Sequence, residues 1–164
     1  MNRRHLLATG TVAAAAALLG RPVTAGTGLE ANKELVRRFY EPFASGNVDL
    51  YDELLTENWV EHPPAAPGQA PGRAGYKLIV RQVRAMMPDI AFAIDALVAE
   101  GNMVVARSTL SATHSTDAFG FPATGKRFAI LTMDMHRIEG ERIAETWHVE
   151  DWQDMMRQVG VRQG

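Results

Sequence analysis

The chain has 164 residues, with 17 Lys or Arg against 19 Asp or Glu and no cysteine. That length suits one domain with a modest core. The absence of cysteine excludes disulfides, thiolate metal sites and cysteine nucleophiles, and the acidic balance argues against nucleic acid as a partner.

Residues 1–25 read as a cleaved leader: Arg3-Arg4, an alanine-rich apolar run over 6–19, then Val23-Thr24-Ala25 as a small-residue cleavage site. The apolar run is too short for a comfortable membrane span. The paired arginines resemble a twin-arginine signal, with an ordinary secretory signal as the other reading. Export to the periplasm or medium is therefore expected, with no membrane attachment after cleavage. Removing Arg3, Arg4 and Arg21 leaves 14 basic against 19 acidic residues, a net charge of −5 for residues 26–164.

The first helix is expected over 31–43, where Leu35, Val36, Phe39, Tyr40 and Phe43 recur at helical spacing. Ser45-Gly46-Asn47 ends it, and a short second helix follows over 49–55. Residues 59–62 form a short extended segment before the proline-rich loop 63–72. A third helix spans 75–87, with Leu78, Ile79, Val83, Met86 and Met87 inward and Pro88 as its stop. The period then changes to two. Residues 90–100 and 103–114 alternate around Gly101-Asn102, and a loop over 119–125 leads to a second hairpin, 128–138 with 142–151. A last helical turn covers 152–159. Helices followed by long antiparallel strands predict an α+β domain, a strongly curved antiparallel sheet packed on three N-terminal helices with a pocket at the mouth of the cone.

The turn of the second hairpin governs the chemistry. A three-residue loop, Glu139-Gly140-Glu141, pairs Ile138 with Arg142 and makes Asp134 a diagonal, same-face neighbour of His148. A two-residue loop shifts the register by one and sends the two side chains to opposite faces.

Four segments in order, LVRRFYEPFASGNVDLYDELLTENWVEH, PGRAGYKLIVRQVRAMMPDI, GFPATGKRF and RIEGERIAETWHVED, resemble the SnoaL-like polyketide cyclase (ester cyclase) family of the nuclear transport factor 2 superfamily. The resemblance covers essentially all of 26–164. It implies a cone-shaped α+β barrel and a cofactor-independent enzyme class that closes rings by intramolecular aldol condensation, often as an oligomer packed through the sheet. The family usually carries Trp-Asp near the end, the aspartate being the acid/base residue, and this chain has Trp147-His148. The family's partner position, commonly histidine, is Asp134 here, so the pair looks exchanged between strands.

His148 and Asp134 are thus the candidate catalytic residues, His148 as the base that removes a proton beside a ketone or ester carbonyl and Asp134 as the group that orients its ring. His62, which the resemblance places at the pocket mouth, and Tyr40, Trp59 and Phe92 are candidate substrate-binding residues. The bland reading of each stands beside this: a structural His148–Asp134 pair, a loop residue at 62, core aromatics at 40, 59 and 92. His114 is expected to stabilise its loop and His136 to be solvated. No HxH or HxxxH spacing occurs and the histidines fall on different elements, so no metal is expected. Two function classes remain: an acid/base enzyme acting on an apolar carbonyl compound, and a module that binds an apolar small molecule without turning it over. Apolar residues on both sheet faces predict a homo-oligomer.

Overall fold

A computed structural model describes residues 25–117 and 120–161. Apart from Ala25, the expected leader over 1–25 lies outside the described residues, as does Phe119 of the 119–125 loop. No helix among the described residues is long and apolar enough to cross a membrane.

Helix α1 (Ala25–Phe39) continues after a turn at Tyr40 into α2 (Glu41–Ser45). The expected helix 31–43 is therefore broken, and Pro42 is the reason: it has no N–H to donate and its ring crowds the preceding turn. A 3-10 turn (Val48–Leu50) and one turn of helix, α3 (Tyr51–Leu54), lead into β1 (Leu55–His62). Helix α4 (Gly72–Met86) starts three residues before the expected position. Gly72 has φ +72° and Gly75 lies against the Ala70 carbonyl, where a Cβ would collide with the oxygen. Both glycines let the proline loop fold back tightly on the helix start.

Strands β2 (Ala91–Glu100), β3 (Met103–Thr113), β4 (Arg127–Glu139) and β5 (Arg142–Glu150) follow, and α5 (Trp152–Val159) closes the chain. The sheet has five strands in the order β1-β5-β4-β3-β2, one more than the sequence suggested. The extra member is β1, which begins at Leu55 and runs parallel to β5. Val104, Ala106, Leu110, Ile130 and Ile143 point from the concave face onto Val36, Phe39, Tyr51 and Val80 of the helical layer. Beyond Thr132, where β5 no longer pairs with β4, α5 covers the strand, and Gln158 bonds both the N–H and the carbonyl of Ala129. That satisfies backbone groups which would otherwise form an open edge.

The register of β4 and β5 departs from the expectation in two steps. The turn is two residues, with Glu139 paired to Arg142 and Gly140 at φ +62°. Taken alone, that would put Asp134 and His148 on opposite faces. A bulge between Arg137 and Ile138 restores the phase, because Ile138 pairs with Ile143 but Arg137 pairs with Glu145, leaving Ala144 as the extra residue. Asp134 thus lies directly opposite His148, closer than the diagonal relation a three-residue loop would give.

Candidate active site

A cavity of about 500 Å³ opens between the concave sheet face, the α1–α2 break, α4 and the start of the proline loop. Its apolar wall comes from Phe43, Ile79, Val83, Met86 and Phe92, and its inner polar end from Tyr40, Glu61, Asp134, His148 and Glu150. The α1–α2 break turns Tyr40 toward this end, and the pairing of β4 with β5 supplies Asp134 and His148 together.

The Tyr40 hydroxyl donates a short hydrogen bond to Asp134 Oδ2. Behind it, His136 lies with Nε2 3.4 Å from the Tyr40 oxygen and Nδ1 3.0 Å from Thr146 Oγ1. Trp59 Nε1 donates to the same Thr146 oxygen at 3.1 Å. Donor counting assigns the histidine tautomer. With Tyr40 donating to Asp134, His136 carries its proton on Nε2, and Thr146 accepts from Trp59 while donating to Nδ1. A relay of four buried side chains therefore ends on the Asp134 carboxyl. His136 is 0% exposed, which corrects its expected place on the surface. Burial, reinforced by the positive charge of His148, pushes its pKa down to about 3, so the ring is neutral.

His148 is held quite differently. Its Nδ1 is 2.8 Å from Glu150 Oε1, and its Nε2 is 2.9 Å from the Pro63 carbonyl and 3.5 Å from Glu61 Oε1. Only a doubly protonated ring can donate at both ends. Burial pulls its pKa down, but the Glu150 hydrogen bond and charge, the Pro63 carbonyl and Glu61 outweigh that and raise it to about 9. For Asp134, burial dominates and lifts the pKa to about 6; the Tyr40 hydrogen bond and the His148 charge oppose the rise, while Glu150 and Glu61 add to it. Burial also raises Glu61, against hydrogen bonds from Gln69 and Ala65. The site therefore holds an imidazolium beside a carboxyl group that titrates just below neutrality.

Asp134 of β4 and His148 and Glu150 of β5 offer donor atoms within 4.8 Å of one another, a group with a single histidine. A metal would have to displace the second proton of His148 and break its bond to Glu150, which the raised pKa disfavours near neutrality.

The other expected residues divide. Tyr40 and Phe92 line the cavity, with ring centroids 5.1 Å apart. Trp59 does not reach it. It packs behind the wall, its ring 4.3 Å from that of Tyr76, and serves the Thr146 relay. His62 points to the outer face, stacked on Trp147 at 5.0 Å and bonded to Glu145, so it stands away from the mouth expected for it. Period-two alternation explains this: in β1 it is Glu61 and not His62 that shares the cavity side. His114 is buried and bonds Thr124, bracing the loop before β4. Glu61, Glu150, His136 and Thr146 were missed by sequence reasoning. Glu150 was within reach of it, two residues beyond His148 on one strand face. Glu61 was not, since only the parallel pairing of β1 with β5 brings it in.

The family model for SnoaL-like polyketide cyclase matches residues 33–159. The chain belongs to the SnoaL-like polyketide cyclase family. With it comes the nuclear transport factor 2-like superfamily, whose cone fold the curved five-stranded sheet reproduces. Among solved structures, TsrD from Streptomyces laurentii is 26% identical with a TM-score of 0.73, covering 81% of this chain and 97% of TsrD. IdmH from Streptomyces antibioticus, a candidate polyketide cyclase, is 28% identical at TM-score 0.71, over 79% of this chain and 99% of IdmH. A candidate polyketide cyclase from Acidithiobacillus ferrooxidans is 29% identical at TM-score 0.70, over 79% and 94%. Among curated proteins none matches the sequence significantly. Membership in this family supports a cofactor-independent cyclase or isomerase-type role with a small-molecule substrate.

Proposed function

We propose that this protein is an acid/base enzyme that enolises an apolar carbonyl compound, the step that initiates aldol or ester cyclisation and related isomerisations. The observation that carries the reading is the direct pairing of Asp134 with His148 at the inner end of an apolar cavity. The roles run opposite to those expected from sequence. A histidine whose pKa is about 9 holds its proton near neutrality and is no base, whereas Asp134, at about 6, is ionised there and close enough to neutrality to accept one. Asp134 takes the α-proton, Tyr40 fixes its carboxyl, and the imidazolium stabilises negative charge growing on the carbonyl oxygen. The apolar wall keeps water away from the enolate. Incubation with 2-acetylnaphthalene in D2O tests this directly: methyl deuteration followed by proton NMR is expected to outpace buffer alone. Binding without exchange would instead favour the non-catalytic module.

Two further properties belong to this reading. Leu131, Met133 and Val149 lie 44%, 43% and 67% exposed on the outer sheet face, an apolar surface suited to a second copy of the chain. A homo-oligomer is expected by light scattering at micromolar concentration, and Met133→Glu with Val149→Lys should convert it to monomer. The protein is also read as exported, on Arg3-Arg4, the apolar run and Val23-Thr24-Ala25. Mass analysis of the secreted form should begin at Gly26, and an intact Met1 would remove the reading.

A further inference from the structure

The inner end of the cavity has an unbalanced charge. Glu61, Asp134 and Glu150 converge on one histidine, and among the described residues no Lys or Arg lines the cavity. The Glu61 side chain is 6% exposed and that of Glu150 is 20% exposed, so solvent screens them only partly. Glu61 is also fixed in place, with Gln69 Nε2 at 2.7 Å and the Ala65 N–H at 3.2 Å from its Oε2. Even with His148 as an imidazolium, three carboxyl groups face one cation. Burial raises the pKa values of both Asp134 and Glu61, the direction expected of carboxyl groups crowded in a poorly solvated site.

Away from the carboxyl groups, Phe43, Phe92, Met86 and Ile79 form an aromatic and thioether wall. Aromatic faces attract cations, and methionine adapts to irregular apolar bodies. A carboxylate or phosphate entering this cavity would meet three carboxyl groups and no guanidinium or ammonium. A hydrated inorganic cation would match the charge but leave the apolar wall unused. A protonated amine on an aromatic or alicyclic body satisfies both ends.

We propose that the substrate class is a cationic amphiphile, an apolar ring system bearing a protonated amine, with the ammonium seated against Glu61 and Glu150 and the rings against the Phe92–Met86 wall. This rests on the enzymatic reading of the same cavity and adds to it the charge of the molecule that enters. The reacting carbonyl then lies on the ring body within reach of Asp134, while the amine serves as the anchor. Anionic thioesters and free carboxylic acids are selected against.

Three probes that share one body separate charge from shape: 2-(aminomethyl)naphthalene, 2-acetylnaphthalene and 2-naphthylacetate. Their affinities for the purified protein are measured by calorimetry at pH 7 with EDTA present, so that no metal contributes. The ammonium is expected to bind at least about 10-fold more tightly than the carboxylate, the scale of a single charge pair at a partly buried site, and more tightly than the ketone. In Glu61→Gln/Glu150→Gln, which replaces both carboxyl groups at nearly constant shape, the ammonium's advantage over the ketone should collapse. Should that variant fail to fold by circular dichroism, Glu150→Gln alone is expected to reduce the advantage. Equal or tighter carboxylate binding overturns the proposal, as does an ammonium preference that survives the variants. Ketone binding and exchange without an ammonium preference overturns this inference and leaves the enzymatic reading standing. Failure of all three probes to bind overturns both.

Discussion

Replacing Asp134 with asparagine is expected to lower turnover by about 10²- to 10⁴-fold, the usual worth of a positioned general base, without loss of the fold. The stability half follows from the sign of the pKa shift. Asp134 has a folded pKa of about 6, above its ordinary 3.8, so the native state holds this proton more tightly than the unfolded chain does. Stability is therefore lost as pH rises through that window, and at pH 7 the ionised carboxylate opposes folding. Asparagine removes the charge and still offers Tyr40 an acceptor oxygen, so the variant should melt at or above the wild-type temperature. In the wild type, the rate should rise as Asp134 ionises near pH 6 and fall as His148 deprotonates near pH 9. These are apparent values of a coupled pair. His148→Gln should remove the alkaline limb and shift the acidic limb upward, since Asp134 then loses a neighbouring positive charge. Initial rates of ketone deuteration across pH 5–10 check this, and full activity in Asp134→Asn would sink the assignment.

The parts of this molecule that were legible in the sequence are those carried by periodicity. The switch from a helical to a strand period at Ile90 marks where the helices end and the hairpins begin, and the alternation in β4 sorts Thr132, Asp134 and His136 from Leu131, Met133 and Met135. What failed depended on a single residue of backbone geometry. Neither the two-residue turn nor the Ala144 bulge leaves a mark in composition, and either alone would have reversed the face of Asp134 relative to His148. The two deviations cancel, so a wrong loop length led to a correct pairing of faces. His136, expected in solvent, lies on the buried face by that same alternation, two residues from Asp134. The protonation of His148 was legible only in part. It depends first on Glu150, two residues away on the same strand face, and then on the Pro63 carbonyl and Glu61, 85 and 87 residues distant in the chain, whose approach no local pattern announces. Role assignment between a histidine and a carboxylate thus needed the three-dimensional charge environment, even where the two residues themselves could be named.

His136 should prove to be the group through which acid unfolds this protein. Its ring is fully buried against Phe39 at 4.9 Å, and its two nitrogens meet Tyr40 and Thr146. Its folded pKa of about 3 lies well below the ordinary 6.5. A depressed histidine is neutral in the fold and charges more readily when unfolded, so its stabilising contribution is present above pH 6.5 and is lost as pH falls toward 3. The loss amounts to about 1.4 kcal/mol for each pH unit within that window. Asp134 works in the opposite sense between pH 6 and 3.8, where the fold gains from its raised pKa, and this partly masks the histidine in any single stability curve. The difference between wild type and His136→Asn isolates the term, because Asp134 and His148 titrate in both proteins and their contributions largely cancel. At pH 7 the variant should be less stable by about 2–4 kcal/mol, from a partial cavity and a weakened Tyr40–Thr146 link. As pH falls below 6.5 the gap should narrow steadily and then close, since only the wild type must bury or expel an imidazolium. Urea unfolding at half-unit pH intervals from 7.5 to 4.5 measures it. Parallel stability curves for the two proteins would show that His136 is not the acid-sensitive group and that the buried relay is held together by something other than a neutral ring.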